Sequence, residues 1–267
     1  MAPEYNTFNS NVIVTTSWDD DDGAGLQLAE RLNAHSLPGT FYVPTGQLGQ
    51  PGRLAGFQLR ELTAVGFEVG AHTVSHRVLT EIPAIEATRE IVSCKQTLEQ
   101  ILGHEVVSFC YPKGRFNSTV IKEVRRAGYR GARTTKMLCH DPHFPAFEMP
   151  TTVQAYPHQR SNYLRNLARL RAGSALVRNT PELIAFKGWL DLGKKMFDRV
   201  LETGGVWHLY GHPWEIARLN LWQELEEMFS YISGRSGVRY ATNGQLLRFM
   251  TSSVNNPELE TAQNLAS

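Results

Sequence analysis

The sequence predicts an α/β protein built as a single (β/α) barrel of seven to eight strands. Three observations carry that expectation. β-rich runs alternate with helix-period runs along 267 residues, the pattern of parallel βαβ units. Eight such units in about 250 residues is the size of one barrel domain. With 42% hydrophobic and 20% charged residues, the composition is that of a packed globule rather than a disordered chain. An open doubly wound sheet is the alternative arrangement of the same units.

From the N-terminus, Val12–Ser17 is the first β-rich run, and a helical period follows over Leu26–His35. Strand Thr40–Val43 precedes helix Leu59–Ala64. Strand Phe67–Gly70 precedes the long helix Ile85–Leu102, which Gly103 closes as a C′ glycine. Val106–Tyr111 is the fourth strand; Asn117 caps helix Ser118–Ala127 and Gly128 ends it. Strands Tyr129–Ala132 and Glu148–Val153 come next, then helices Ser161–Arg171 and Pro181–Glu202. Strand Val206–Tyr210, helix Leu221–Ser233, strand Val238–Ala241 and helix Gln245–Met250 complete the pattern. No internal repeat interrupts it. Residues 1–251 read as one domain and the polar, aperiodic residues 252–267 as a flexible tail.

Charge and composition exclude several function classes. With 27 Lys+Arg against 26 Asp+Glu the net charge is +1, which gives no electrostatic case for nucleic acid or an anionic membrane surface. No apolar stretch approaches the roughly 18 residues of a membrane span. The start, MAPEYNTFNSNV, has neither the basic residues nor the apolar run of a signal peptide, so a cytoplasmic location is expected. Three cysteines, Cys94, Cys110 and Cys139, form no Cys-x-x-Cys pair and argue against a disulfide framework or a thiolate zinc site.

Four short segments carry candidate chemistry. The first strand runs into Trp18-Asp19-Asp20-Asp21-Asp22; adjacent carboxylates repel unless a cation, hydrogen bonds or water offset them, and a solvated acidic turn is the alternative. His72-Thr73-Val74-Ser75-His76 follows the third strand; two imidazoles four apart on one helical turn would point the same way and suit a metal, although this spacing also arises by chance. In Val206–Trp214, the residues His208, Tyr210 and His212 share one face of a strand; a hydrogen-bonded core histidine is the alternative, above all for His208. Phe109–Gly114 ends a strand in a Pro/Gly turn with backbone N–H groups and Lys113. In a barrel the C-terminal strand ends open onto one face, so these four segments, nearly 200 residues apart, would converge.

On these residues the chain resembles the polysaccharide deacetylases with NodB homology, carbohydrate esterase family 4, over roughly Val12 to Met250. The family's Thr-Phe-Asp-Asp motif looks like Ser17-Trp18-Asp19-Asp20, its His-Ser/Thr-x-x-His motif like His72–His76, its aromatic and proline turn like Phe109–Gly114, and its late catalytic strand like Val206–His212. The resemblance implies a distorted (β/α) barrel of NodB-like fold, often short of eight strands. It implies one divalent metal, zinc or alternatively Co2+, Mn2+ or Ni2+, on Asp20, His72 and His76. Asp19 would be the general base, His212 the general acid, and the backbone N–H of Tyr111 an oxyanion donor. The reaction implied is removal of an N-acyl group, by default N-acetyl, from an amino sugar or sugar-containing metabolite. A small amide, imide or ureide is the alternative substrate.

The chain also departs from the family pattern. Cys110 stands where many members carry an arginine that orients the catalytic aspartate; Arg133, in Gly131-Ala132-Arg133-Thr134-Thr135, is the candidate replacement, with a surface arginine as the alternative. Lys113 stands where a tyrosine is frequent. Gly211 and Pro213 flank His212, which keeps His208 open as the acid. Asp21 and Asp22 before Gly23 offer a second register for the acidic pair, although Asp19 and Asp20 follow Trp18 directly. Trp18, Tyr111, Tyr156, Trp207 and Trp214 would stack on a sugar if they line the pocket and otherwise fill the core. The arginines of Arg160–Arg171 would meet an anionic substrate or simply solvent. Three other classes are weighed: a barrel that binds a glycan without turnover, a two-His, one-carboxylate iron oxygenase, and a serine hydrolase, for which no Gly-x-Ser-x-Gly elbow exists.

Overall fold

In the computed structural model, residues 11–20, 23–169 and 186–254 are described. Strand β1, Val12–Asp19, is buried at every residue but Ile13, as a strand covered on both faces must be. Its alternate residues divide between two environments. Trp18 packs edge-on against Phe229. On the other face Thr15 bonds Asn243, Ser17 bonds His208, and Asp19 bonds Arg133. The strand therefore turns one face to the helical layer and the other to a polar interior.

The remaining strands are β2 Thr40–Val43, β3 Glu68–Ala71, β4 Ser108–Cys110, β5 Gly131–Arg133, β6 Val153–Gln154, β7 Gly205–Gly211 and β8 Val238–Tyr240. All paired strands are parallel, in the order β5-β4-β3-β2-β1-β7-β6. β7 pairs with β1 along its whole length, Val12 opposite Gly205 to Trp18 opposite Gly211. The other edge of β1 is shared: residues 17–19 pair with β2, and residues 12–14 with β8. The sheet curls until the Arg133–Met149 bridge joins β5 to the segment that leads into β6. A (β/α) barrel with one thin seam results, in agreement with the expected distorted barrel.

The helices are α1 Ala24–Ala34, α2 Gly56–Ala64, α3 Ala84–Leu102, α4 Ser118–Arg126, α5 Arg160–Arg169, α6 Gly188–Thr203, α7 Pro213–Arg218, α8 Trp222–Ile232 and α9 Asn243–Val254. α3 buries Ala87, Ile91, Cys94 and Leu98 at spacings of three and four, and ends at Gly103 with φ +75°. The Asn117 side chain caps α4 by accepting from the Val120 N–H. The strand expected over Glu148–Val153 is shortened to Val153–Gln154 because Pro150 withholds an N–H from the ladder. The short α7 was not anticipated. Residues 181–185 of the expected helix Pro181–Glu202, residues 170–171 of the expected helix Ser161–Arg171, and the tail beyond Val254 lie outside the described residues.

The N-terminal end of the barrel is plugged by the start of α9. Glu68 accepts hydrogen bonds from the hydroxyls of Thr40 (2.8 Å) and Ser108 (2.7 Å) and from the Gly244 N–H (2.7 Å). Asn243 donates to the Tyr42 hydroxyl from its side chain and to Thr40 from its backbone. Packing and polar satisfaction thus close that end and leave the C-terminal strand ends as the open face.

Candidate active site

β1 delivers Asp19 as its last residue, and the chain leaves through Asp20 at φ +55°. This left-handed conformation is sparsely populated by non-glycine residues, although Asp tolerates it better than most. β3 ends at Ala71 and delivers His72 directly. The expectation that His72 and His76 share a helical turn is corrected: residues 72–76 form an irregular loop in which Thr73 (φ +66°) and His76 (φ +57°) are left-handed. The two reversals fold the loop back on itself and bring the imidazole centroids to 4.7 Å. Strained backbone of this kind persists where surrounding contacts over-determine it.

Those contacts come largely from a residue that carried no sequence signal. Glu90 on α3 accepts from the backbone N–H of Val74 (2.9 Å) and Ser75 (2.8 Å) and from the Ser75 hydroxyl (2.6 Å). The Gly46 N–H donates to the Val74 carbonyl at 2.7 Å, and a Cβ at Gly46 would stand 2.8 Å from that oxygen. The ring of His72 is fixed separately, its Nδ1–H donating to the Cys110 carbonyl at 2.8 Å. This leaves Nε2 facing Asp20, the arrangement that orients a metal-binding imidazole.

Asp20 Oδ1 lies 3.6 Å from His72 Nε2 and 3.4 Å from His76 Nε2, and it is buried with no hydrogen-bond partner among the described residues. An orphaned buried carboxylate oxygen is costly. Ligands of a tetrahedral ion held at ~2.0–2.1 Å stand about 3.4 Å from one another, so the donor set and its spacing fit a zinc-type ion. Burial pushes His72 below the ordinary imidazole range, outweighing the nearby aspartates, and so favours the neutral, ligating form. A second cluster, Asp19, His72 and Cys110, also brings its ligand atoms within 4.8 Å. It suits a metal less well. Asp19 Oδ1 is already paired with Arg133. Burial pushes the Cys110 thiol well up, so it stays protonated, with Sγ 3.7 Å from Asp19 Oδ2.

Asp19 and Arg133 form an ion pair buried at both ends. Burial alone would raise the Asp19 carboxyl, but the Arg133 guanidinium and the neighbouring His72 and His212 hold it below its usual range. Arg133 reaches it because β5 pairs with β4 in a register that sets Arg133 beside Cys110. The guanidinium also lies over the rings of Tyr210 (4.8 Å) and Tyr42 (5.3 Å). A cation delivered from the neighbouring strand thus occupies the space that the short Cys110 side chain leaves beside Asp19.

His212 follows β7 directly, and its Nε2 is 3.9 Å from Asp19 Oδ2 and 3.9 Å from Asp20 Oδ2. Its Nδ1–H donates to Glu215 Oε2 at 2.7 Å. Burial works against its charge, but the Glu215 hydrogen bond and the carboxylates of Asp19, Glu215 and Asp20 outweigh burial and raise its pKa. Glu215 was not singled out from sequence, although its spacing of three from His212 across the start of α7 is an i,i+3 signal. His208 sits elsewhere, 1% exposed in the interior, bonded to Ser17 Oγ at 2.8 Å. Burial and the Arg133 charge push it down to about 3, so it is a neutral core group.

Tyr111 is spent on the barrel wall. Its N–H donates to the Arg133 carbonyl at 3.3 Å and its hydroxyl to the Phe147 carbonyl at 3.0 Å. The expectation of a free oxyanion donor there is corrected, because the β4–β5 ladder consumes it. Trp18, Tyr111 and Trp207 are buried in the core. Trp214, with Asp20, Gln47, Arg53 and His76, lines a cavity of about 350 Å³ beside the cluster. Asp21 and Asp22 lie outside the described residues.

Comparisons with known proteins agree with this construction. Residues 8–132 match the family model described as Polysaccharide deacetylase, a span that contains Asp19, Asp20, His72, His76 and Tyr111. A Bacillus subtilis (strain 168) protein that carries the polysaccharide deacetylase name, YxkH, is 22% identical over 105 residues, which are 39% of this chain and 38% of that protein. Two solved structures share the fold across nearly the whole chain. One, named as a polysaccharide deacetylase from Mycobacterium smegmatis, has a TM-score of 0.62 at 15% identity and covers 91% of each chain. The other, a mutant of peptidoglycan deacetylase PdaC from Bacillus subtilis, has a TM-score of 0.54 at 18% identity and covers 96% of this chain and 98% of its own. The family match over residues 8–132, on a barrel shared end to end with such structures, makes the chain similar to the polysaccharide deacetylases.

Proposed function

We propose that the protein is a metal-dependent hydrolase that removes an N-acyl group, by preference N-acetyl, from an amino sugar or a sugar-containing metabolite. The observation that carries this reading is the orphaned Asp20 Oδ1 between two imidazole nitrogens, with Asp19 and His212 beside it. Asp20, His72 and His76 would hold one divalent ion, zinc by donor type. Such an ion, when bound, polarises an amide carbonyl and makes water more acidic.

The chain's own residues supply the rest. Asp19, kept ionised by Arg133, accepts the proton of the attacking water. His212, kept protonated by Glu215, donates from Nε2 to the departing amine nitrogen. Base and acid converge on one region because His212 Nε2 stands 3.9 Å from a carboxylate oxygen of each aspartate. Products are a free amine and a carboxylate. Because Arg133 supplies the positive charge that Cys110 cannot, turnover is favoured over a binding-only role. The cavity of about 350 Å³ suits a substrate with about one sugar ring inside it, and the Trp214 ring offers a stacking face.

Acetate release from N-acetylglucosamine, its oligomers and a panel of small amides tests this reading, with zinc-loaded and chelated protein side by side. Metal-dependent release from a sugar amide is expected. Turnover confined to a cyclic imide or ureide would replace the sugar assignment, and full activity after chelation would refute the metal mechanism.

A further inference from the structure

A hydrogen-bond chain runs from α5 to the proposed acid, and chemistry fixes the direction of each link. His212 Nδ1–H donates to Glu215 Oε2. The same oxygen accepts from Gln154 Nε2 at 3.2 Å. Gln154 Oε1 accepts from the Tyr210 hydroxyl at 2.6 Å and faces His158 Nε2 at 2.7 Å. His158 Nδ1 faces the Asn162 amide nitrogen at 3.1 Å, and Asn162 Oδ1 accepts from Arg165.

Only one assignment of hydrogens satisfies all of these contacts. Turning the Gln154 amide over would set its oxygen against the Glu215 carboxylate and leave two acceptors facing each other. Gln154 therefore donates to Glu215 and accepts from Tyr210 and His158. Burial holds His158 below the ordinary imidazole range, so the ring is neutral with its one proton on Nε2, and Nδ1 accepts from Asn162. Gln154 is 7% exposed at the end of β6, fixed on one side by two donors and free to present its amide nitrogen in one direction.

We infer that Gln154, clamped by Tyr210 and His158, is a positioning residue that holds Glu215 against His212 and so keeps the imidazole's Nε2 turned toward the two aspartates. Without that clamp Glu215 sits on a six-residue helix, α7, with no other hydrogen bond to its side chain than the one from His212 among the described residues. The assignment rests on reading His212 as the proton donor, and its test carries a readout that does not need turnover.

Gln154→Glu keeps the shape and the acceptor that Tyr210 and His158 use, but replaces the donor toward Glu215 with a carboxylate oxygen. Glu215→Gln placed on top restores a donor–acceptor pair between the two positions. Nitrogen-15 NMR of the His212 ring, assigned with His212→Gln and recorded near pH 9 where a free imidazole is neutral, reports the tautomer directly. Steady-state kinetics report kcat and KM.

The expected wild-type ring carries its proton on Nδ1. Gln154→Glu is expected to mix the tautomers and to lower kcat about tenfold with KM little changed, and the double variant to recover the tautomer and part of kcat. His158→Ala, at a half-buried site, should move both readouts the same way by less. A wild-type tautomer in Gln154→Glu overturns the inference, whatever happens to kcat. If the wild type turns over no amide, yet its tautomer is fixed and Gln154→Glu releases it, the positioning role stands and the deacetylase reading fails.

Discussion

The two ends of the barrel treat a half-buried carboxylate in opposite ways. At the N-terminal end Glu68 accepts from two hydroxyls and a helix N–H, so its charge is met from within the fold. At the C-terminal end Asp20 Oδ1 is buried between two imidazoles, and no group among the described residues donates to it. The first carboxylate closes a structure, and the second is the one proposed to hold a cation. The lesson is that satisfaction, more than burial or charge, separates the scaffold from the site in this molecule.

The sharpest way to break the comparison is to remove each carboxylate in turn. Asp20→Asn, chosen because Asn tolerates φ +55°, should take bound zinc from about one ion per chain to about none and hydrolysis to background. The melting temperature of the metal-free protein should stay within about 2 °C, since no hydrogen bond is lost; metal analysis and calorimetry check both. Glu68→Ala should do the reverse. Three donors lose their acceptor at a cost of about 2–3 kcal/mol, lowering the melting temperature by roughly 5–10 °C while zinc stoichiometry stays at about one.

A smaller effect is expected one layer behind the ligands. Glu90→Ala frees the N–H groups of Val74 and Ser75 and loosens the loop that holds His72 and His76. Zinc affinity, read by competition with a chromophoric chelator, should fall about 10–100-fold. An unchanged affinity would mean that Gly46 and the backbone alone hold the loop.

The smallest effect concerns pH. His212 must be protonated to act as the acid, and Glu215 is a leading cause of its raised pKa. Glu215→Gln should therefore move the alkaline limb of the kcat/KM profile to lower pH. The acid limb belongs to Asp19, held below the carboxylate range by Arg133, and should stay in place. Movement of the acid limb instead would reverse the assignment of acid and base.

Much of this was legible in the chain. Every expected strand exists, because parallel strands buried on both faces read as apolar runs between helix-period segments, and Asp19, Asp20, His72, His76 and His212 all emerge at strand ends. Arg133 was legible as a strand-end cation; its register beside Cys110 was not, since register depends on the partner strand. The geometry of His72–His76 is not legible, because spacing alone does not distinguish a helical turn from a loop with left-handed residues. The pairing of the Tyr111 N–H is not legible either, because whether an N–H is free depends on what lies across the sheet. Glu90, Gln154 and Glu68 act through contacts to distant elements. No local periodicity marks such contacts.

The central claim is that Asp20, His72 and His76 form the metal site, and anomalous diffraction at the zinc edge from a zinc-loaded crystal tests it most directly. The account predicts a single strong peak within about 2.0–2.2 Å of Asp20 Oδ1, His72 Nε2 and His76 Nε2. A peak bonded to Asp19 and Cys110 instead, or none near Asp20, would contradict it.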